Sequence, residues 1–232
     1  MKNRLGITGL LALILVIAAC VPTPNLRNEK LLNDDFLVSP PENCDAPCWR
    51  GITPGVTEWA EAITILEDDS TLNDPQVQNL EDGQPAVGAL WKMIDGEDCC
   101  QMVSEDGETV SFIVLQLSPN HTLGELIEAR GEPAYVIGSP GVEDQALINI
   151  LYPDSGLIVG VFVAGEQAGS LSASSEIVVA YLLTPDRMDL IVNTSNLYGW
   201  KGYGPFNIYA PEATEADFIV TPSITLTAPP PA

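Results

Sequence analysis

The sequence predicts an α+β fold in which helices pack on an antiparallel sheet. Two stretches carry apolar residues at helical spacing, at 59–66 and 123–130, and the runs between and after them read as strands broken by turn dipeptides. The order is helix, strands, helix, strands, which points to two tandem helix-plus-sheet repeats. Hydrophobic residues make up 46% of the chain, the proportion of a globular protein.

The first helix begins after Gly51-Ile52-Thr53-Pro54-Gly55-Val56-Thr57. Pro54-Gly55 makes a turn, Thr57 is placed to cap, and Trp59, Ala62, Ile63 and Leu66 share one face. Glu58 and Glu61 lie in the first turns, where the helix dipole favours acids. Asn73-Asp74-Pro75 reads as the start of a short second helix. Residues 87–94, 99–105 and 108–117 then read as strands, with Asp95-Gly96 and Asp106-Gly107 as hairpin turns. At the next helix Thr122 and Glu125 form a capping box. Leu123, Leu126, Ile127 and Arg130 share a side there, Gly131 ends the helix in a left-handed conformation, and Pro133 forbids continuation. Strands are expected at 134–138, 145–152, 156–164 and 175–183, with Pro153-Asp154-Ser155-Gly156 turning between the second and third.

The two ends differ in kind from this middle. Met1-Lys2-Asn3-Arg4 is a short basic segment, and Leu5 to Ala19 carries no charge, the pattern of a signal peptide over residues 1–19. That run is shorter than the roughly 20 apolar residues of a spanning helix. It closes with Val16-Ile17-Ala18-Ala19-Cys20, which resembles the lipobox of bacterial lipoproteins. The alternative is an ordinary secretory signal that happens to contain a cysteine. The resemblance implies diacylation of Cys20, which becomes the first mature residue, and two acyl chains make membrane anchoring stable. Residues 20–43, from Val21-Pro22-Thr23-Pro24 to Pro40-Pro41, read as a lipidated flexible tether. Residues 211–232, rich in Thr, Pro and Ala, read as a disordered tail. Between them lie two expected units, 44–118 and 119–210. The implied address is the outer face of the cytoplasmic membrane, or the periplasm or outer membrane where one exists.

The string Gly51-Ile52-Thr53-Pro54-Gly55-Val56-Thr57 before a helix also resembles the helix start of small outer-membrane assembly lipoproteins of the SmpA/OmlA type and of the β-lactamase-inhibitor-like fold. Gly131-Glu132-Pro133 is similar to the Gly-x-Pro exit of the same units. Each half carries only one of the two marks. The resemblance implies helices on an antiparallel sheet and a role in binding other proteins, without chemistry.

Charge excludes one class of partner. With 9 Lys+Arg against 32 Asp+Glu the formal charge is −23, so no cationic surface exists to displace the counterions of nucleic acid. Outside the cytoplasm the four cysteines beyond Cys20, at Cys44, Cys48, Cys99 and Cys100, read as two disulfides. Adjacent cysteines pair with each other only through a strained ring, so links from the first cluster to the second are expected. In a regular strand, however, Cys99 and Cys100 point to opposite faces and need a bulge or a turn end. A four-thiolate zinc site fits this spacing poorly.

Signals for an enzyme are thin. His121, the only histidine, reads as an exposed loop residue, and no nucleophile elbow, phosphate loop or zinc-protease helix occurs. Carboxylate pairs serve glycosidases, but with 32 acids none stands out. The acidic clusters Asp68-Asp69, Asp95-Gly96-Glu97-Asp98 and Glu105-Asp106-Gly107-Glu108 match no calcium loop and read as solvated turns. Tyr198, Trp200, Tyr203, Phe206 and Tyr209 crowd one glycine-rich segment; exposed, they stack on sugars or grip a peptide, and packed, they close over the sheet edge. The sequence therefore favours a lipid-anchored, extracytoplasmic binding or assembly module without cofactors. It meets the membrane through Cys20 and takes an envelope protein or cell-wall glycan as partner; the alternative is a glycan-acting envelope enzyme using a carboxylate pair near residues 198–209. A solute-capture lipoprotein is a third class, disfavoured because no two-lobed pattern appears.

Overall fold

The computed structural model describes residues 27–80, 83–140, 145–164 and 169–209; Cys20, the expected signal at 1–19 and the expected tail at 211–232 lie outside them. The fold is α+β and dominated by one antiparallel sheet of nine strands. Its first half comprises helix α1 (Trp59–Asp68) and strands β1 (Gln76–Asn79), β2 (Val87–Lys92), β3 (Asp98–Ser104) and β4 (Phe112–Gln116). The second half adds α2 (Leu123–Arg130), β5 (Tyr135–Pro140), β6 (Gln145–Tyr152), β7 (Leu157–Ala164), β8 (Ser170–Leu171), β9 (Ile177–Leu183), α3 (Pro185–Thr194), β10 (Tyr198–Gly199) and β11 (Gly204–Pro205). Across the sheet the strands run β1-β2-β3-β4-β9-β7-β6-β5-β10, and β8 and β11 form a separate ribbon.

Alternation along the strands divides the sheet into two faces. One carries Ala89, Trp91, Cys100, Met102, Ile113, Leu115, Ile148, Ile150, Val159 and Leu182, all buried in the main core with Ala62 and Leu66 of α1 and Leu123 and Leu126 of α2. The other carries Leu151, Ile158 and Leu183, which α3 covers with Met188. Neither half encloses a core alone, because β4 pairs with β9 in the middle of the sheet from Phe112↔Leu183 to Gln116↔Val179.

Local signals place the elements well. The capping box at α2 is present: the Glu125 carboxylate accepts the Thr122 N–H at 2.8 Å, and the Thr122 hydroxyl accepts the Glu125 N–H at 3.4 Å. Gly131 takes a positive φ of 81° at the helix exit, with ψ extended rather than left-handed helical. Gly156 adopts the left-handed conformation after the Pro153–Ser155 turn, and a Cβ there would stand 2.5 Å from the Leu183 carbonyl oxygen.

Five expectations are corrected. Residues 20–43 do not form a free tether along their whole length, since Leu32, Phe36 and Leu37 are buried and Leu32 exchanges backbone hydrogen bonds with Gln116 and Ser118. Apolar side chains spaced through a polar stretch are enough to dock it. Asn73-Asp74-Pro75 leads into strand β1, not a helix, because Gln76–Asn79 finds pairing partners on β2. Thr57 does not cap α1; its hydroxyl accepts from the Thr53 N–H at 2.8 Å, and the Trp59 N–H is satisfied by the Glu108 carbonyl at 2.7 Å. His121 is not exposed, with 15% side-chain accessibility and a ring nitrogen 3.0 Å from Asp35 of the docked N-terminal segment.

The fifth concerns the disulfides, which form within each cluster, Cys44–Cys48 and Cys99–Cys100. The first pair needs only the turn through Asp45-Ala46-Pro47. The second uses a bulge: Trp91 pairs with Cys100 and Lys92 with Asp98, leaving Cys99 as the extra residue. The bulge cancels the alternation that would separate the two side chains, and both are 3% exposed in the core.

Candidate functional site

The aromatic segment begins where the sheet ends. Tyr198 pairs with Val136 across the last strand, and its ring is buried at 1% exposure. The chain then crosses to the small ribbon, where Gly204 pairs with Leu171, and turns back so that Tyr209 is buried beside Tyr198, ring centroids 6.3 Å apart and edge-on. The Tyr209 hydroxyl accepts the Lys201 N–H at 2.9 Å and donates to the Gly202 carbonyl at 2.8 Å. Burial pushes its pKa upward against the opposing hydrogen bond from Lys201. Trp200 stacks on Tyr209 and is half-buried, while Tyr203 stands edge-on to Trp200 and is 45% exposed. The Phe206 side chain lies outside the described residues. Of the rings proposed as ligand contacts, Tyr198 and Tyr209 are therefore core, and Trp200 and Tyr203 form the accessible remainder.

A cleft of about 510 Å³ lies between the docked N-terminal segment and the α2 exit. Arg130 is the cation in its wall, and its side chain is only 8% exposed. Its Nε donates to the Leu37 carbonyl at 2.7 Å, one Nη to the Phe36 carbonyl at 3.1 Å, and the other pairs with Asp45 at 2.7 Å. The guanidinium is thus spent on holding the N-terminal segment against α2. Tyr152 donates to the Gly131 carbonyl at 3.1 Å, and burial raises its pKa above the ordinary tyrosine value although Arg130 opposes the shift. Glu132 and Asp154 stand on the rim. Asp106, a member of an acidic cluster, is a turn acceptor: one carboxylate oxygen takes the N–H groups of Glu108 and Thr109 and the Ser104 hydroxyl, which lowers its pKa. Among the described residues no group of three His, Cys, Asp or Glu is placed to hold a metal.

The sequence reading missed a third feature. Helix α3 crosses the second sheet face at its β5 side and leaves an apolar groove of about 260 Å³ between itself and the strands. Ile137, Leu151, Ile158, Tyr181 and Leu183 supply the sheet wall, and Ile191 and Leu197 the helix side. Burial raises the pKa of Tyr181 there. The signal that would have found α3 is Thr184-Pro185: Thr184 is the N-cap, accepting the Arg187 N–H at 3.4 Å, and Pro185 occupies the first turn. Arg187 ties the helix down, its guanidinium 4.7 Å from the centre of the Phe112 ring and paired with Glu105.

No helix among the described residues is long and apolar enough to cross a membrane. Compared with protein-family models, with curated proteins and with solved structures, the chain matches none.

Proposed function

We propose that this protein is a lipid-anchored, extracytoplasmic binding or assembly module of the bacterial cell envelope that performs no chemistry of its own. The groove beside α3 carries the reading: on a chain of formal charge −23 it offers an open apolar surface of the kind that receives a partner's side chains. Acids keep such a chain soluble, and an apolar recess in their midst concentrates recognition in one place. Two further features support it. The lipobox ending at Cys20 supplies the anchor, and the strand order supports a duplicated helix-plus-meander unit. In that reading α1 with β1–β4 and α2 with β5, β6, β7 and β9 are equivalent, their last strands meeting in the middle. Proteins of the SmpA/OmlA and β-lactamase-inhibitor-like kind, which the helix marks resemble, bind other proteins.

The test is capture by the detergent-solubilised full chain from solubilised envelope, beside the Ile137→Asp variant, which charges the groove at a half-buried position. One protein recovered in equal amount and lost with the variant supports the reading; equal recovery by both sinks it. Anchoring is checked by Cys20→Ala, which leaves uncleaved or unlipidated precursor. A second reading, a glycan-acting enzyme, is favoured by the exposed Tyr203 beside Trp200, with the Glu132 and Asp154 carboxylates on the Tyr152 cleft. It requires hydrolysis of cell-wall polysaccharide that a single carboxylate substitution abolishes.

A further inference from the structure

The sheet has two unlike edges. At one, β10 is two residues long and roofed by the aromatic segment. At the other, β1 is the outermost strand, all four of its residues are exposed, and it reads Gln76-Val77-Gln78-Asn79, without the lysine, proline or other charge that ordinarily blunts an edge. Exposed apolar side chains flank it: Val77 at 51%, Leu80 at 44% and Leu90 at 38%.

Beside this edge lies a pocket. The Asn73 N–H bonds the Lys92 carbonyl at 3.0 Å, and Gln76 pairs with Leu90; between these two ties the chain leaves β2 and opens a space of about 440 Å³. Leu72, Leu90 and Trp91 line it, of which Leu90 is exposed, and Asp74, Asp98 and Lys92 line it with them. Neither carboxylate has a cationic partner within ion-pair distance among the described residues. Trp91 is 2% exposed, and its indole N–H is buried without an acceptor among the described residues.

We propose that the β1 edge takes up an extended, basic segment of a partner protein as a further antiparallel strand, one of whose Lys or Arg side chains enters this pocket. The strand's backbone satisfies the open ladder of β1, giving affinity, and the pocket reads the side chain. A lysine or arginine stem lies along the exposed Leu90 while its charged head meets Asp74 and Asp98. The overall charge of −23 attracts such a segment and opposes a second copy of this chain, whose own Asp74 and Asp98 would be brought against the same edge. This pocket at the β1 edge shares no lining residue with the groove beside α3, so it stands or falls independently of the groove.

The test uses the full chain and a short capped peptide alternating threonine and valine around one central lysine. Its controls are the same peptide with glutamate at the centre and the lysine peptide N-methylated along one edge. The lysine peptide should slow backbone hydrogen exchange at 76–79 and bind at least tenfold more tightly than the glutamate peptide, and the N-methylated peptide should not bind. The D74N/D98N variant, which leaves the backbone edge intact, should erase the lysine preference. Val77→Pro, at a position whose N–H faces away from β2 because Leu80 and with it Gln78 bond that strand, should abolish binding with the circular dichroism unchanged. Equal affinity for the lysine and glutamate peptides, or binding without protection of 76–79, overturns the proposal. So does a dimer of the chain that Val77→Pro turns into a monomer, which would assign the edge to a second copy.

Discussion

Arg130 shows how one side chain can decide the course of a long segment. Its guanidinium satisfies two main-chain carbonyls that no other donor among the described residues reaches and closes on Asp45, so the stretch before the first helix is held from the far side of the sequence. Arg130→Ala leaves those carbonyls buried and unpaired and should cost about 2–3 kcal/mol in urea unfolding. Arg130→Lys should recover little, because an ammonium cannot make the fork of bonds that a guanidinium makes. Acidity acts through other single residues. Asp69 loses water on packing, which alone would raise its pKa, but hydrogen bonds from Thr71 and the Arg50 charge outweigh that and hold it below the ordinary carboxylate value. A depressed native pKa means stabilisation that is complete above the unfolded-state value, about 3.9, and lost as pH falls through the native one. The melting temperature should therefore be flat down to about pH 4 and fall below it, and Asp69→Asn should lower the plateau and flatten that fall. The capping residues Thr122 and Glu125 were legible in the sequence because their bonds span three residues. The role of Arg130 was not, because Leu37 and Phe36 lie 93 and 94 positions away.

At the scale of elements, the hairpin β2–β3 combines a legible turn with an illegible bulge. Asp95-Gly96 announces the reversal, but the extra residue that sets Cys99 beside Cys100 is fixed by how the strand meets Trp91 and Lys92. The resulting connectivity is open to direct test. Trypsin without reductant should release residues 31–50 and 93–130 as separate peptides, each lighter by two hydrogens than its reduced form. A single cross-linked species would restore the expected inter-cluster links. The Cys44–Cys48 ring closes a short loop, so by the chain-entropy model it contributes only about 2 kcal/mol, less than a link between the clusters would. More of the hold on this region comes from packing, including Trp49 against Trp91 at 5.7 Å. Helix α3 escaped the sequence reading for another reason: Met188 is its only fully buried residue, so the apolar stripe that marks α1 is too thin there to notice.

At the scale of the molecule, fold class and the alternation of helix and meander were legible, since both follow from periods within short windows. That the two meanders fuse into one sheet was not. The pairing of Ile113 with Leu182 and Leu115 with Ala180 joins positions whose local patterns name no partner. Residues 27–118 expressed alone should accordingly fail to fold, showing neither dispersed amide signals in NMR nor a cooperative thermal transition. A well-folded fragment would mean that the seam is an interface between self-sufficient units.

The seam also sets the order of events in synthesis. The first meander is complete as a sequence when Gln116 has emerged, yet one side of β4 waits without its neighbour until Ile177–Leu183 arrives. During that interval Phe112-Ile113-Val114-Leu115 is an open apolar strand, the kind of segment that sticks to other chains. Such distant closure makes for slow folding. A nascent chain of this protein therefore has a period of vulnerability written into its topology, one that export in an unfolded state or a chaperone holding residues 112–116 would cover.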